Sequence, residues 1–206
     1  MTENLFHAMI WVSSWGDDRV LLRKLKDRPE IYSIFHIMGT ASYLLDVFVN
    51  QKKDLRDLVF EIKRYTLPQV PVPIVTSMST QKVLKVYKHQ KDFNIAYYSE
   101  ERIYGFTRVF NKGPDDTFIL NVMGEPRLKT ILRLQGGMTF LLEIMASTAE
   151  EIMEMTGRIK EIPTVQTMET QEVLAVIKYR GVVFEDPTAP PKFIAPIIKP
   201  GDIVTL

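Results

Sequence analysis

The sequence predicts an α+β chain built from two copies of one unit, ordered strand, helix, strand, strand, helix, strand. Three observations carry that prediction. First, Lys82-Val83-Leu84-Lys85-Val86-Tyr87-Lys88 returns as Glu172-Val173-Leu174-Ala175-Val176-Ile177-Lys178. Read 90 positions ahead, nine of the twenty residues at 69–88 recur, Pro73, Val75, Met78, Thr80 and Gln81 among them. Unrelated stretches of ordinary composition would share roughly one. Second, a shift of 97 matches Val12 to Val109, Gly16 to Gly113, Asp18 to Asp115, Pro29 to Pro126, Ile34 to Ile131 and Gly39 to Gly136. Leu44-Leu45-Asp46 then meets Leu141-Leu142-Glu143. Third, the apolar residues in each copy follow alternating and helical spacings in the same order. A repeat of this length sets the architecture before any single residue does. The drop from 97 to 90 puts seven extra residues in the first copy, between Asp46 and Gln69.

The elements follow in order. Residues 5–13 mix large apolar and aromatic types, which suits a buried strand. Gly16 breaks it, and Asp17 or Asp18 is placed to cap a helix. Leu21, Leu22 and Leu25 share one face of that helix, and Pro29 ends it. Residues 31–38 form a second strand, and Gly39 opens a short connection. Tyr43, Leu45, Val47 and Val49 alternate with Leu44, Asp46 and Phe48, the pattern of a strand with one core face. Leu55, Leu58, Val59, Ile62 and Tyr65 make a helical stripe. Pro68, Pro71 and Pro73 forbid helix beyond it, and a last strand runs over 75–87.

In the second copy, 102–110 is the first strand. Asp115 or Asp116 caps a helix carrying Phe118, Ile119 and Val122. Taken alone, 117–122 has the β-branched and aromatic content of a strand; the constant offset favours helix. Residues 128–135 and 140–146 form a hairpin. Thr148-Ala149-Glu150-Glu151 has capping-box spacing before a stripe of Ile152, Met155 and Ile159. Residues 164–179 close the copy. The domains are therefore 1–90 and 102–180, joined by a linker at 91–101 and followed by a proline-rich docking tail at 181–206. The linker's Phe93, Tyr97 and Tyr98 suit a packed segment, and the tail's Phe193, Ile194, Ile197 and Ile198 suit docking on this chain or a neighbour. The βαββαβ order is the ferredoxin-like fold, whose sheet carries both helices on one face. The open face is apolar or mixed here and needs a cover.

Composition excludes several classes. Lys and Arg number 26 against 25 acids, so no net field draws nucleic acid or membrane. There is no cysteine, hence no disulfide and no thiolate chemistry. No secretory pattern opens the chain and no apolar run reaches the ~18 residues of a membrane span, so a cytoplasmic protein is expected.

Pro29-Glu30, Gly39, Leu44-Leu45, the amphipathic helix after them and the strand entered through Thr80 and ending in lysine resemble the ligand-binding domain of the Lrp/AsnC transcription regulators. The resemblance implies a ferredoxin-like unit of the dimeric α+β barrel type. It implies pairing through sheets, a homo-oligomer, and sensing of a small metabolite. No helix-turn-helix is expected ahead of the first strand or in the tail, so direct sequence-specific DNA binding is not expected. The family's hairpin turn carries an aspartate; here the turns read Gly39-Thr40-Ala41-Ser42 and Gly136-Gly137-Met138-Thr139. Both replace the acid with a hydroxyl.

The candidate ligand-binding residues are accordingly Gly39, Thr40, Ser42, Gly136, Gly137 and Thr139. Glycine permits close backbone approach, and the hydroxyls and N–H groups suit a carboxylate better than an ammonium. The alternative is that both turns are merely tight hairpins. His7, His36 and His89 are scattered without a partner at ligand spacing, and His36 reads as a strand histidine more readily than as a haem or metal ligand. No cofactor and no metal site are indicated. Asp46 and Glu143 hold equivalent strand positions and suit either acid–base work or solvent-facing sites. Methionines such as Met145, Met153, Met155 and Met168 read as core. The expected function is a stand-alone tandem sensing or assembly module. The rival is a small α+β-barrel enzyme, of oxygenase, isomerase or haem-handling type, with a site between sheet and helices.

Overall fold

The computed structural model describes residues 5–16, 18–67, 70–90, 102–137, 139–184, 190–198 and 203. The linker expected at 91–101 and Met138 lie outside them. The protein is an α+β fold, mostly antiparallel sheet with four helices among the described residues. The elements are β1 (Phe6–Ser14), α1 (Arg19–Lys26), β2 (Ile31–Ile37), β3 (Tyr43–Val49), α2 (Lys52–Lys63), β4 (Thr66–Leu67), β5 (Val70–Pro73), β6 (Val75–His89), β7 (Ile103–Asn111), α3 (Asp115–Val122), β8 (Leu128–Leu134), β9 (Thr139–Ala146), α4 (Ala149–Lys160), β10 (Val165–Tyr179), β11 (Val182–Val183) and β12 (Lys192–Phe193). Among the described residues no helix is long and apolar enough to cross a membrane.

The chain forms two compact units, cut inside its two long strands. Unit 1 holds Met1–Lys82 and Leu174–Asp202, and unit 2 holds Val83–Val173 and Ile203–Leu206. In unit 1 the strand order is β12-β11-β10-β2-β3-β1-β6. Its core packs Ala8, Ile10 and Val12 of β1 and Leu45 and Val47 of β3 against Leu21 and Leu25 of α1 and Leu55, Leu58 and Ile62 of α2. The alternation in β1 and β3 sends these side chains to the helix-bearing face. Each buried aliphatic side chain contributes about 1.5–3 kcal/mol. The opposite face is also closed: Met9, Trp11 and Leu44 are buried.

In unit 2 the order is β6-β8-β9-β7-β10. Val109, Ile131, Phe140, Leu142 and Ile144 pack against Phe118 and Val122 of α3 and Met155 and Ile159 of α4. The segment 117–122, with the composition of a strand, is helical because Phe118, Ile119 and Val122 are buried on one helical face. Tertiary burial outweighs local β-propensity there.

The same backbone hydrogen bonds recur at the offset of 97. Arg28 N–H reaches Leu25 O at 3.2 Å, and Glu125 N–H reaches Val122 O at 3.1 Å. Phe48 N–H meets Glu30 O, and Met145 N–H meets Arg127 O, both at 2.9 Å. The helices α2 and α4 keep the offset of 97 from first residue to last, so the seven extra residues fall after α2. There the first copy carries the β4–β5 hairpin, while the second passes from α4 to β10 in four residues, 161–164.

Four local expectations need correction. Asp18 makes no capping bond to α1; its carboxylate accepts from the Tyr43 hydroxyl. Asp115 likewise does not cap α3; it accepts from Arg133 Nε at 2.8 Å and from the Tyr87 hydroxyl at 3.2 Å. In both cases a long-range donor on the sheet captures the carboxylate. At α4, Thr148 Oγ1 accepts from Glu151 N–H at 3.3 Å, but the Glu151 carboxylate returns to Ser147 N–H at 2.8 Å rather than to Thr148. Met155 and Met145 are core, whereas Met153 is 73% exposed.

In the tail, β12 pairs with β11, Ile197 N–H donates to Pro29 O at 3.2 Å, and Lys192 pairs with Asp27 at 2.9 Å.

Candidate functional site

Strands β1 and β3 run antiparallel with His7 opposite Phe48 and Met9 opposite Asp46. That register makes His7 and Asp46 diagonal neighbours on the face away from the helices. His7 Nε2 lies 2.7 Å from Asp46 Oδ1, with the two side chains 12% and 17% exposed. The imidazole stacks on Phe48 at 4.0 Å and 15°, and Phe48 meets Tyr32 edge-on at 5.3 Å. A carboxylate only accepts, so Nε2 carries the proton of this contact. One row further, Gln81 stands opposite Met9 on the same face. Its Oε1 is buried without a hydrogen-bond partner among the described residues.

Two readings of the sequence change here. His7 does have a partner, and neither Asp46 nor its counterpart Glu143 is a solvent position. Glu143 is buried and accepts from the Thr130 hydroxyl. The counterpart of His7 is Tyr104 (104 − 97 = 7). Burial, and then the nearby Glu143 charge, push the Tyr104 phenol up to about 12. The usable signal was present in the sequence: His7 and Asp46 share the parity that places them both opposite the core residues of their strands. His36 faces Tyr43, ring centroids 5.2 Å apart, on the neighbouring strand.

At the hairpin turns several candidate residues make local hydrogen bonds. Gly39, Gly136 and Gly137 adopt φ of 133°, 96° and 53°. Ser42 Oγ accepts from Ser14 N–H at 3.2 Å, and Thr40 O accepts from Ser13 Oγ at 3.0 Å. Thr139 is buried and donates to Gly136 O at 3.0 Å. Gly39–Ser42 lies in unit 1 and Gly136–Thr139 in unit 2.

Unit 2 contains a cavity of about 290 Å³ between α3, α4 and the start of β8. Val122, Leu128, Met155 and Ile159 form its apolar wall, and Glu125 and Arg158 stand at its polar side. Glu125 accepts from Arg127 Nε at 2.7 Å and from Arg158 Nη2 at 2.8 Å. The bonds from Arg127 hold its carboxyl down at about 2. At the same positions unit 1 has Arg28 and Glu61, also paired, with the charges exchanged.

A lysine closes the first helix of each unit, fully buried at Lys178 and half-buried at Lys88. Lys178 Nζ donates to Arg28 O, and Lys88 Nζ to the equivalent Glu125 O, each at 2.7 Å. Burial lowers the Lys178 ammonium to about 8. Among the described residues no three His, Asp or Glu side chains converge as a metal site.

No family model matches the chain, and no curated protein matches it in sequence. Solved structures do match in fold. A protein described as a monooxygenase from Lactobacillus acidophilus NCFM is similar at TM-score 0.51 and 13% identity, over 89% of this chain and 100% of its own. The siroheme decarboxylase NirDL is similar at TM-score 0.63 and 9% identity, over 86% of this chain and 74% of its own. Its complex with an iron-uroporphyrin III analogue gives TM-score 0.56. At such identities the likeness is one of fold. It corrects the resemblance to the Lrp/AsnC ligand-binding domain and the expectation of a role in transcription regulation: these fold relatives are described as enzymes.

Proposed function

We propose that this chain is a small α+β-barrel enzyme of tandem ferredoxin-like units, and that it moves a proton at the His7–Asp46 pair. The observation that carries the reading is the 2.7 Å contact between them, set against an aromatic stack and beside the unpartnered Gln81 Oε1. Asp46 fixes the ring and stabilises the imidazolium that forms when Nδ1 accepts a proton. Gln81 Oε1 would accept a donor group of the substrate. Oxygenation, isomerisation and decarboxylation of small carbonyl compounds all draw on such a base. The recurrence of the backbone hydrogen bonds at offset 97 supports the tandem arrangement. The absence of cysteine supports a cytoplasmic setting.

The test is a turnover screen over enolisable carbonyl compounds, β-keto acids and phenols, with dioxygen uptake and carbon dioxide release as readouts. Asp46→Asn runs in parallel. The proposal expects at least one substrate turned over by the wild-type chain and slowed about 100-fold or more by the substitution. Equal turnover by both proteins would remove the pair from the chemistry.

A further inference from the structure

Unit 1 holds a buried phenol at the position that lines the cavity of unit 2. Where Ile162 lines the cavity, unit 1 has Tyr65 (162 − 97 = 65). The backbone is the same at both: Tyr65 N–H reaches Ile62 O, and Ile162 N–H reaches Ile159 O, each at 3.2 Å. Tyr65 is 6% exposed, with the Lys24 ammonium 4.6 Å above its ring centroid. Its hydroxyl donates to Glu61 Oε1 at 3.1 Å and accepts from Arg28 Nη2 at 3.3 Å.

Ile162 supplies neither ring nor hydroxyl. The ion pair that would receive the hydroxyl remains, as Glu125 and Arg158. Its signs are exchanged, yet it still offers one acceptor and one donor. The apolar wall remains too, as Val122, Leu128, Met155 and Ile159. Asn121 replaces Lys24, so a ring there gains no cation above it. The cavity, about 290 Å³, sits at the small end of the ~300–1,000 Å³ range of ligand pockets and suits a one- or two-ring molecule.

We infer that this cavity binds a small phenol, which takes the place that the Tyr65 side chain fills in unit 1. The ring packs on the apolar wall. The hydroxyl donates to the Glu125 carboxylate and accepts from the Arg158 guanidinium. The site is separate from the His7–Asp46 pair and goes beyond the acid–base reading.

The probe is 4-fluorophenol, followed by its fluorine resonance during titration with the full chain, with fluorobenzene as the ligand lacking a hydroxyl. The expected result is saturable binding of 4-fluorophenol, weakened at least ~10-fold for fluorobenzene, a difference of about 1.4 kcal/mol or more. Ile162→Tyr restores the internal phenol and should abolish binding. Should that variant fail to fold, Asn121→Trp, from an exposed helix position at the rim, blocks the same space. No saturable binding to the wild-type chain, equal binding of fluorobenzene, or unchanged binding in the folded filling variant would each overturn the inference. None of these readouts depends on turnover, so they leave the His7–Asp46 reading to its own test.

Discussion

Unit 1 and unit 2 repeat several backbone hydrogen bonds at an offset of 97 and differ in the side chains set on them. Unit 1 closes the space beside its helices with Tyr65 and carries the β4–β5 hairpin just after α2; unit 2 has Ile162, no hairpin, and an open cavity. On the other face of the sheet the contrast runs the opposite way. Unit 1 has a histidine–aspartate pair in hydrogen-bond contact, and unit 2 has Tyr104 beside Glu143, with the Tyr104 phenol held up at about 12. Structural positions that are equivalent in backbone are thus free to diverge in chemistry, provided that packing and hydrogen-bond needs are met locally. The exchanged ion pair, Arg28–Glu61 against Glu125–Arg158, is the plainest example, since attraction does not depend on which partner carries which sign.

The largest expected effect breaks the filled side of the comparison. Tyr65→Ala removes a buried ring and two hydroxyl bonds, and should cost about 3–5 kcal/mol in urea unfolding. Ile162→Ala only enlarges an existing cavity and should cost about 2 kcal/mol, at the low end for such truncations. Equal losses would mean that the two positions are packed alike.

The ion pair gives a smaller effect. Arg28→Glu places a like charge against Glu61 and should destabilise by about 1 kcal/mol, since both groups are partly exposed. Adding Glu61→Arg recreates the order found in unit 2 and should recover most of the loss, a coupling that a double-mutant cycle reads directly.

A further effect is in pH. Lys178 titrates near 8 when folded, against an ordinary 10.5, because burial disfavours its charge. Between those values the unfolded chain holds a proton that the folded chain has released, so stability rises with pH. The rise should show most cleanly from about pH 8 to 9, before ordinary tyrosines ionise near 10. Lys178→Met should flatten it, whatever its effect on the baseline.

Much of the fold was legible because periodicity and an internal repeat are properties of single positions and of spacing. The offset of 97 even selected helix for 117–122 against its local composition, as α3 shows. Capping aspartates misled because Asp18 and Asp115 have local capping geometry in sequence but are claimed by Tyr43 and Arg133, residues distant in the chain. The His7–Asp46 pair needed the β1–β3 register, which alternation alone does not fix. The cavity was less legible still. It follows from the absence of a ring at Ile162, and an absence has meaning only once Tyr65 is seen filling the equivalent space.

The central claim, that His7 is a base oriented by Asp46, is tested most directly by kcat of His7→Ala on a compound the wild-type chain turns over, with and without added imidazole. The account predicts a fall of about 100-fold or more, with part of the rate restored by imidazole and no matching change in KM. A kcat within about twofold of wild type, in a folded variant, would contradict it, because a positioned general base supplies at least ~100-fold.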